Sequence, residues 1–239
     1  MSNFVFRRKE QKYLLTVSQR QAFIDLMERH MKPDKFPCSS IRNIYYDTPD
    51  HRLIRRSLEK PVYKEKLRLR CYGDPAQGGD VFLEMKKKYK GVVYKRRVAM
   101  TVDAAVGYMA DPAARLDAGQ IGREIDYFKQ FYENLQPAVY LSYERLSWKG
   151  IGSDLRVTMD WDVCFRTDAL DLRAMPGGRQ LIEPGEALVE IKSATAMPLW
   201  LVEFLSENQI RQRSFSKYGR AYTLLLSEKL SESRGMTHA

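Results

Sequence analysis

The sequence predicts an α+β protein: a closed, tunnel-like barrel of about eight mostly antiparallel strands, with helices packed outside. Two patterns support this prediction. Several segments alternate charged and apolar side chains with the period of a β-strand, and segments with helical spacing lie between the hairpins. The 239 residues are 44% hydrophobic, which is enough to form a core, and no linker stands out. We therefore expect a single domain over residues 1–230 and a disordered tail over 231–239.

The alternating segments have one charged face and one apolar face. In Lys64–Tyr72, the side chains of Lys66, Arg68 and Arg70 share a face, and the residues between them are mostly apolar. Three other segments repeat this arrangement: Val81–Lys86, Leu155–Asp160 and Leu188–Lys192. If the apolar faces pack on helices, the charged faces converge on a shared lumen. Because unpaired buried charge is costly, such a lumen needs water and favours a polyanion.

In the N-terminal half, turn and cap signals separate the elements. Ser18 is a candidate N-cap, Thr48-Pro49 ends a strand, and the turn-rich Gly73–Asp80 and Lys90-Gly91 close two hairpins. The predicted strands are Phe4–Leu15, Ile41–Asp47, Tyr63–Tyr72, Val81–Tyr89 and Val92–Thr101. The predicted helices are Gln19–Met31, Asp50–Leu58 and Asp103–Ala110, with a loop bracketed by Pro33 and Pro37 after the first.

In the C-terminal half, Pro137 stops a helix and Lys149–Ser153 turns a hairpin. Ser214 or Ser216 caps the last helix. The predicted strands are Ala138–Trp148, Leu155–Thr167 and Leu188–Ser193, with a loop over Asp171–Gly185. The predicted helices are Gly122–Leu135, Pro198–Asn208 and Lys217–Leu230.

Composition limits the partners and the compartment. A net charge of +10 and a pI of about 9.4 imply an anionic partner such as nucleic acid, acidic lipid or a phosphate-rich molecule. Three cysteines without CxxC spacing argue against a disulfide framework or a zinc site, and they favour a reducing cytoplasm. No apolar window is long enough to span a membrane, and the N-terminus lacks the apolar core of a signal peptide.

Seven short motifs, in order along the chain, resemble the VTC domain. This is the catalytic domain of the vacuolar transporter chaperone polyphosphate polymerases, within the triphosphate tunnel metalloenzyme superfamily. The motifs are Glu10–Tyr13, Lys66–Gly73, Phe82–Lys86, Tyr143–Arg145, Leu155–Asp160, Glu190–Lys192 and Phe215–Tyr218. The resemblance implies a tunnel of eight antiparallel strands that binds a nucleoside triphosphate or a phosphate chain together with Mn²⁺ or Mg²⁺.

The resemblance also implies roles for individual residues. Phosphate contacts carry over to Lys12, Arg68, Arg70, Lys86, Arg145 and Arg156. The C-terminal helix would lie at one mouth of the tunnel, where Ser216 and Lys217 at its start would close that mouth and touch the chain. Glu190 would hold the metal. We expect the catalytic set to be Lys12, Arg68, Arg70, Lys86, Glu190 and Lys217.

The charged faces add further candidates. Lys66, Arg97 and Lys192 are additional candidate phosphate ligands. Glu10 and Glu84 are additional candidate metal ligands, with salt bridges to tunnel lysines as the alternative for each carboxylate. Asp160 shares a face with Arg156, and pairing with that arginine is the alternative to a role in metal binding.

The predicted activity is transfer of the γ-phosphoryl group of ATP to a growing polyphosphate chain. Tunnel enzymes that hydrolyse triphosphates typically open with Glu-x-Glu-x-Lys, and this chain has Arg8 at the first acidic position. Arg8 therefore favours polymerase over hydrolase. Three alternatives stay open: a triphosphatase or polyphosphatase, a non-catalytic polyphosphate-binding module, and nucleic-acid binding. The last is disfavoured because no nucleic-acid-binding motif appears. The expected partners are thus ATP and inorganic polyphosphate.

Overall fold

The computed structural model describes residues 9–236, which form a mixed α+β structure with nine strands and six α-helices. The strands are β1 (Lys9–Leu15), β2 (Met31–Asp47), β3 (Tyr63–Tyr72), β4 (Val81–Tyr89), β5 (Val92–Met100), β6 (Gln136–Gly150), β7 (Arg156–Arg166), β8 (Arg179–Gln180) and β9 (Ala187–Ser193). The helices are α1 (Val17–His30), α2 (Arg52–Leu58), α3 (Val102–Ala110), α4 (Gly119–Phe131), α5 (Leu199–Glu207) and α6 (Lys217–Met236). None of these helices is long and apolar enough to cross a membrane.

The strands form one antiparallel sheet, which confirms the predicted α+β class with mainly antiparallel pairing. The hydrogen-bonded order is β1-β9-β7-β6-β2-β3-β4-β5, with β8 paired to β7. Within residues 9–236, β1 and β5 are the last strands of this order. The order does not confirm closure into a barrel, so the closed tunnel stays a prediction.

The described chain divides into two compact units, each with its own hydrophobic core. The first unit comprises residues 9–40, 143–163 and 182–215, and the second comprises 41–142, 164–181 and 216–236. Fully buried members of the first core include Leu15, Phe23, Met27, Val157 and Leu201. Fully buried members of the second include Leu67, Leu69, Leu83, Met85 and Ile125.

The predicted apolar strand faces are confirmed. In β3, Leu67, Leu69 and Cys71 have no exposed surface, while on the other face Lys66 and Arg68 are partly exposed and Arg70 is buried. In the first unit, Val157 of β7 and the apolar residues of β9 are likewise buried. Burying a large aliphatic side chain contributes about 1.5–3 kcal/mol. The apolar alternation therefore fixes which face of each strand is left for charged groups.

The cap of helix α1 lies two residues before the predicted one. Thr16, not Ser18, is the N-cap, because its hydroxyl accepts the backbone N–H of Gln19 and the Gln19 side chain accepts the N–H of Thr16 at 2.9 Å. Together these reciprocal bonds form a capping box. Both Thr16 and Ser18 precede the apolar stripe, so the helical pattern alone could not choose between them.

In the second unit, one buried carboxylate connects three elements. Asp47, at the end of β2, accepts the backbone N–H groups of Leu53 and Ile54 at 2.8 and 3.0 Å. Asp47 also accepts the hydroxyl proton of Tyr218 at 2.8 Å. This carboxylate therefore satisfies otherwise unpaired N–H groups of α2 and holds α6 against the strand end.

Several predicted boundaries differ from the structure. Strand β2 runs through the predicted loop, with Pro33 and Pro37 inside it. Backbone N–H groups four residues apart point to the same edge of a strand. Both prolines therefore lie where the strand needs no N–H for hydrogen bonding to a neighbouring strand. Helix α6 extends beyond Leu230 to Met236. The predicted start of the first strand, Phe4 to Arg8, lies outside the described residues, as do residues 237–239.

Candidate functional site

In the second unit, four side chains form a row across four neighbouring strands. Arg68 on β3 lies opposite Tyr45 of β2 on one side and Glu84 of β4 on the other, and Glu84 lies opposite Arg97 of β5. Directly opposite residues in an antiparallel sheet point to the same face. The strand register therefore brings together residues that the sequence separates by up to about fifty positions.

Glu84 is the centre of this row, and only 2% of its side chain is exposed. Arg68 donates to one carboxylate oxygen through Nε at 2.9 Å and Nη2 at 2.7 Å. The Nζ of Lys95 lies 2.5 Å from the other oxygen, and Arg70 and Arg97 lie 3.9 and 4.0 Å from the carboxylate. We call Glu84 and these four cations the Glu84 cluster. Burial alone would raise the pKa of Glu84, but the cations, Arg68 first, outweigh burial and lower the pKa to about 2.

Neutral groups orient the two arginines of β3. Arg68 donates through Nη1 to the hydroxyl of Tyr45 at 2.8 Å, and Arg70 donates through Nε to the side-chain oxygen of Asn43 at 2.8 Å. Burial alone would raise the pKa of Tyr45, but Arg68, Lys66 and Arg70 outweigh it and lower the pKa to about 8. These contacts fix the guanidinium groups without cancelling their charge. The Glu84 cluster therefore keeps a positive excess.

The start of α6 adjoins the same strand face. Ser216 accepts a hydrogen bond from the Nζ of Lys66 at 3.0 Å, and its hydroxyl also accepts the N–H of Gly219 at 3.2 Å. Ser216, one of the two predicted caps, is therefore the cap of this helix. Lys217 is the first helical residue. A helix N-terminus carries a partial positive charge, which adds to that of the lysines.

In the first unit, two carboxylates and two lysines form a second group, which we call the Glu190 cluster. Lys12 lies opposite Glu190 in the β1–β9 pairing, and Glu10 lies opposite Lys192. The Nζ of Lys12 lies 3.1 Å from Glu190 and 3.4 Å from Glu10. The Nζ of Lys192 lies 3.0 Å from Glu190 and 3.9 Å from Glu10. The predicted metal ligands Glu10 and Glu190 are thus close together.

Lys12 is held in place from two sides. Its Nζ donates to the backbone carbonyl of Phe215 at 2.9 Å, and its own carbonyl accepts the N–H of Arg213. Burial would lower the pKa of Lys12, but Glu190 and then Glu10 outweigh burial and raise it. Lys12 is therefore a fixed positive charge at neutral pH.

A buried ion pair corrects one sequence expectation. Asp160 is fully buried and binds Arg145, not Arg156, at 2.5 Å to Nε and 2.7 Å to Nη2. Arg145 lies on β6, the strand next to β7, whereas Arg156 lies exposed at the start of β7. Burial would lower the pKa of Arg145, but Asp160 outweighs it and raises the pKa well above its ordinary value. The partner of Asp160 therefore comes from the neighbouring strand and not from the same strand.

The remaining candidates are more accessible. Lys86 on β4 is exposed, as is Arg97 on β5. Among residues 9–236, no group of three or more His, Cys, Asp and Glu side chains is arranged to hold a metal ion. Glu84 is surrounded by cations in the second unit, and Glu10 and Glu190 lie together in the first. The metal roles of these three glutamates stay predictions.

Sequence reasoning missed two residues of the Glu84 cluster's surroundings. Neither Tyr45 nor Asn43 is among the candidate site residues. Their alternation on β2 places both on one face, but only the register with β3 shows that this face is the one that carries Arg68 and Arg70. The available signal was the pair of polar side chains at alternate positions of β2.

The sequence model of the VTC domain matches residues 7–226, which is most of the chain. The chain belongs to the VTC domain family. No curated protein matches the sequence.

This VTC domain is also similar in fold to solved structures of low sequence identity. The adenylyl cyclase candidate HpAC1 from Hippeastrum, described as having a dominant triphosphatase activity, is 17% identical with a TM-score of 0.54, over 87% of this chain and 92% of that chain. An adenylate cyclase candidate from Bacillus halodurans is 15% identical with a TM-score of 0.55, over 87% and 95%. At such identities the likeness concerns the fold.

Proposed function

We propose that this VTC domain is a metal-dependent polyphosphate polymerase, which transfers the γ-phosphoryl group of ATP to a growing polyphosphate chain. The observation that carries the proposal is the contrast between its two charged clusters. The Glu84 cluster places four cations around one carboxylate, whereas the Glu190 cluster balances two lysines with two carboxylates. An excess of cations suits phosphate oxygens, and paired carboxylates suit a divalent cation.

Arg68 and Arg70 are the residues best suited to hold a phosphate chain. A guanidinium group presents a planar fork of donors that matches phosphate oxygens. Tyr45 and Asn43 hold these forks through neutral hydrogen bonds, so the positive charge is oriented in advance. Phosphoryl transfer depends mainly on positioning and on neutralising negative charge, which such a cluster supplies.

The side chains of the first unit fit a divalent metal ion. Glu10 and Glu190 provide carboxylate oxygens close to one another, since both lie within 3.4 Å of the Nζ of Lys12. Mg²⁺ and Mn²⁺ prefer oxygen ligands, and Mg²⁺ usually takes one or two carboxylates while keeping water and substrate phosphates. When bound, the ion would neutralise charge on phosphate oxygens of the transferred group.

The protein's own groups would do the remaining work. Lys12 and Arg145 stay protonated at neutral pH because carboxylates raise their pKa values, so both are permanent positive charges. The cap Ser216 and the first turn of α6 offer a hydroxyl and N–H groups for a phosphate oxygen. The closed tunnel that the family resemblance implies would exclude bulk water and so disfavour transfer to water over transfer to phosphate.

A triphosphatase is the second candidate, and one finding favours it. HpAC1, which shares this fold, is described as having a dominant triphosphatase activity. The two reactions differ only in whether water or a phosphate chain accepts the phosphoryl group. Arg8, at a position where hydrolytic tunnel enzymes carry an acidic residue, favours the polymerase.

The decisive experiment incubates the pure protein with ATP and either Mn²⁺ or Mg²⁺, then separates the products on a gel and measures ADP. Polyphosphate chains formed with ADP support the proposal. Orthophosphate without chains identifies a triphosphatase, and binding of polyphosphate without turnover identifies a binding module.

The Glu190→Gln variant tests the carboxylate role within the same assay. We expect chain synthesis to fall by at least about a hundredfold, because the neutral amide is a much weaker metal ligand. Lys87→Ala is the matched control, since Lys87 pairs with Glu124 on the other side of β4. Normal synthesis by Glu190→Gln with an unchanged dependence on metal concentration would refute the metal role.

A further inference from the structure

The polar face of β3, β4 and β5 becomes more positive towards the turn that joins β4 and β5. The row containing Arg68 includes the carboxylate of Glu84. In the next row, Lys66 of β3 lies opposite Lys86, and Lys86 lies opposite Lys95. In the row after that, Lys64 lies opposite Lys88. These two lysine rows contain no acidic residue, although like charges placed directly opposite each other destabilise a sheet.

The other face of the same hairpin is organised differently. Lys87 and Arg96 point to the helix side, where Glu124 of α4 lies 3.9 Å from the Nζ of Lys87 and 3.1 Å from the Nε of Arg96. The hairpin thus neutralises its cations on the helix side. The positive charge on the opposite side is therefore not a general property of this hairpin.

Lys64 and Lys88 form the outermost pair of the positive face. Lys88 is exposed, and Lys64 is half-buried with its Nζ donating to the carbonyl of Ser57 at 3.1 Å. Neither lysine forms an ion pair with an acidic residue among residues 9–236. Burial, followed by repulsion from Lys88, Lys86 and Lys60, lowers the pKa of Lys64. Each lysine of this pair would gain from a bound anion.

We propose that Lys64 and Lys88 form an outer subsite for linear polyphosphate, which extends the phosphate-binding face beyond the Glu84 cluster. This inference rests on the proposed function and adds the direction in which a long chain leaves that cluster. Residues advance about 3.4 Å each along an antiparallel strand, so the Lys64 row lies about 14 Å from the Arg68 row. A triphosphate held at Arg68 covers less of this distance than a longer chain, which can lie along both rows. The subsite therefore distinguishes long chains from ATP.

The test measures binding of long-chain polyphosphate and of tripolyphosphate by calorimetry at low salt. The variants are Lys88→Ala and the double variant Lys64→Ala/Lys88→Ala. We expect the double variant to bind long chains on the order of tenfold more weakly, because two partly exposed charge contacts are lost. We expect its affinity for tripolyphosphate to change by less than about twofold. Lys88→Ala alone should show a smaller loss in the same direction, and it leaves the contact between Lys64 and Ser57 intact.

Lys87→Ala is the matched control, because it removes the same charge from the helix side of the same strand. Equal weakening of both ligands, or an equal effect of Lys87→Ala, would overturn the outer subsite. So would an equal loss of affinity for a single-stranded RNA of the same charge, which would indicate general electrostatic attraction. If the unmodified protein binds long polyphosphate but the double variant is unaffected, the subsite fails and the proposed function stands. If the unmodified protein binds no polyphosphate, both fail.

Discussion

The buried carboxylate of Glu84 lies within 4.0 Å of four cations, so replacing it by glutamine should destabilise the second unit. Glu84→Gln keeps the size of the side chain and removes only its charge. Lys95 and the three arginines would then repel one another without a counter-charge. Removing one partner of a buried ion pair costs about 3–5 kcal/mol, with less for partners that water can reach. Lys95 and Arg97 are more than 40% exposed, which places the expected loss at the lower end.

The lowered pKa of Glu84 gives an independent magnitude. The pKa falls from its ordinary value of 4.5 to about 2 on folding. A difference of that size corresponds to about 3 kcal/mol of stability. Because the folded pKa is the lower one, this contribution is fully present above about pH 4.5 and is lost as the pH falls towards 2. At about 2–4 °C per kcal/mol for a chain of this length, Glu84→Gln should lower the melting temperature by about 6–12 °C at pH 7.

The assay is thermal unfolding of both proteins at several pH values between 7 and 2.5. The melting temperatures should converge as the pH falls, because protonation removes from the wild-type protein the negative charge that the variant already lacks. Tripolyphosphate should raise the melting temperature of the variant more than that of the wild type, since the anion replaces the missing charge. The control is Glu124→Gln, whose half-exposed carboxylate should contribute less than about 1 kcal/mol. Equal melting temperatures at pH 7, or a gap at pH 2.5 as large as that at pH 7, would refute the reasoning.

Two further predictions concern other buried groups. Asp160→Asn leaves Arg145 buried without its partner. The melting temperature, measured by calorimetry, should fall by about 10 °C. An unchanged melting temperature would show that Arg145 finds another acceptor. One tyrosine should ionise near pH 8 in the native protein and be missing from Tyr45→Phe, as followed by tyrosinate absorbance. Because the pKa of Tyr45 is lower in the folded than in the unfolded protein, the stability of the wild type relative to Tyr45→Phe should rise between about pH 8 and pH 10. If the variant keeps the transition at pH 8, Tyr45 is not its source.

Alternation predicted much of this structure from the sequence. The strand Tyr63–Tyr72 has the bounds that its pattern predicts, and its charged and apolar faces are as expected. Alternation assigns a residue to a face but does not say which strand lies beside it. The partner of Asp160 was therefore wrong, and Tyr45 was not connected with Arg68. Pro33 and Pro37 led to a predicted loop where β2 continues. Proline excludes a strand only where its missing N–H is needed for a hydrogen bond.

The surroundings of Glu84 also bear on which carboxylate holds a metal ion. A divalent cation approaching Glu84 would meet four positive groups that already lie within 4.0 Å of its carboxylate. Each like-charge contact at 4 Å costs about 4 kcal/mol per pair of unit charges in a protein-like medium, so repulsion exceeds the attraction of one carboxylate. In the Glu190 cluster two carboxylates face two lysines, so each carboxylate meets fewer cations than Glu84 does. Charge balance therefore favours Glu10 and Glu190 as the proposed metal ligands, and it gives Glu84 the role of orienting the arginines that we propose to bind phosphate.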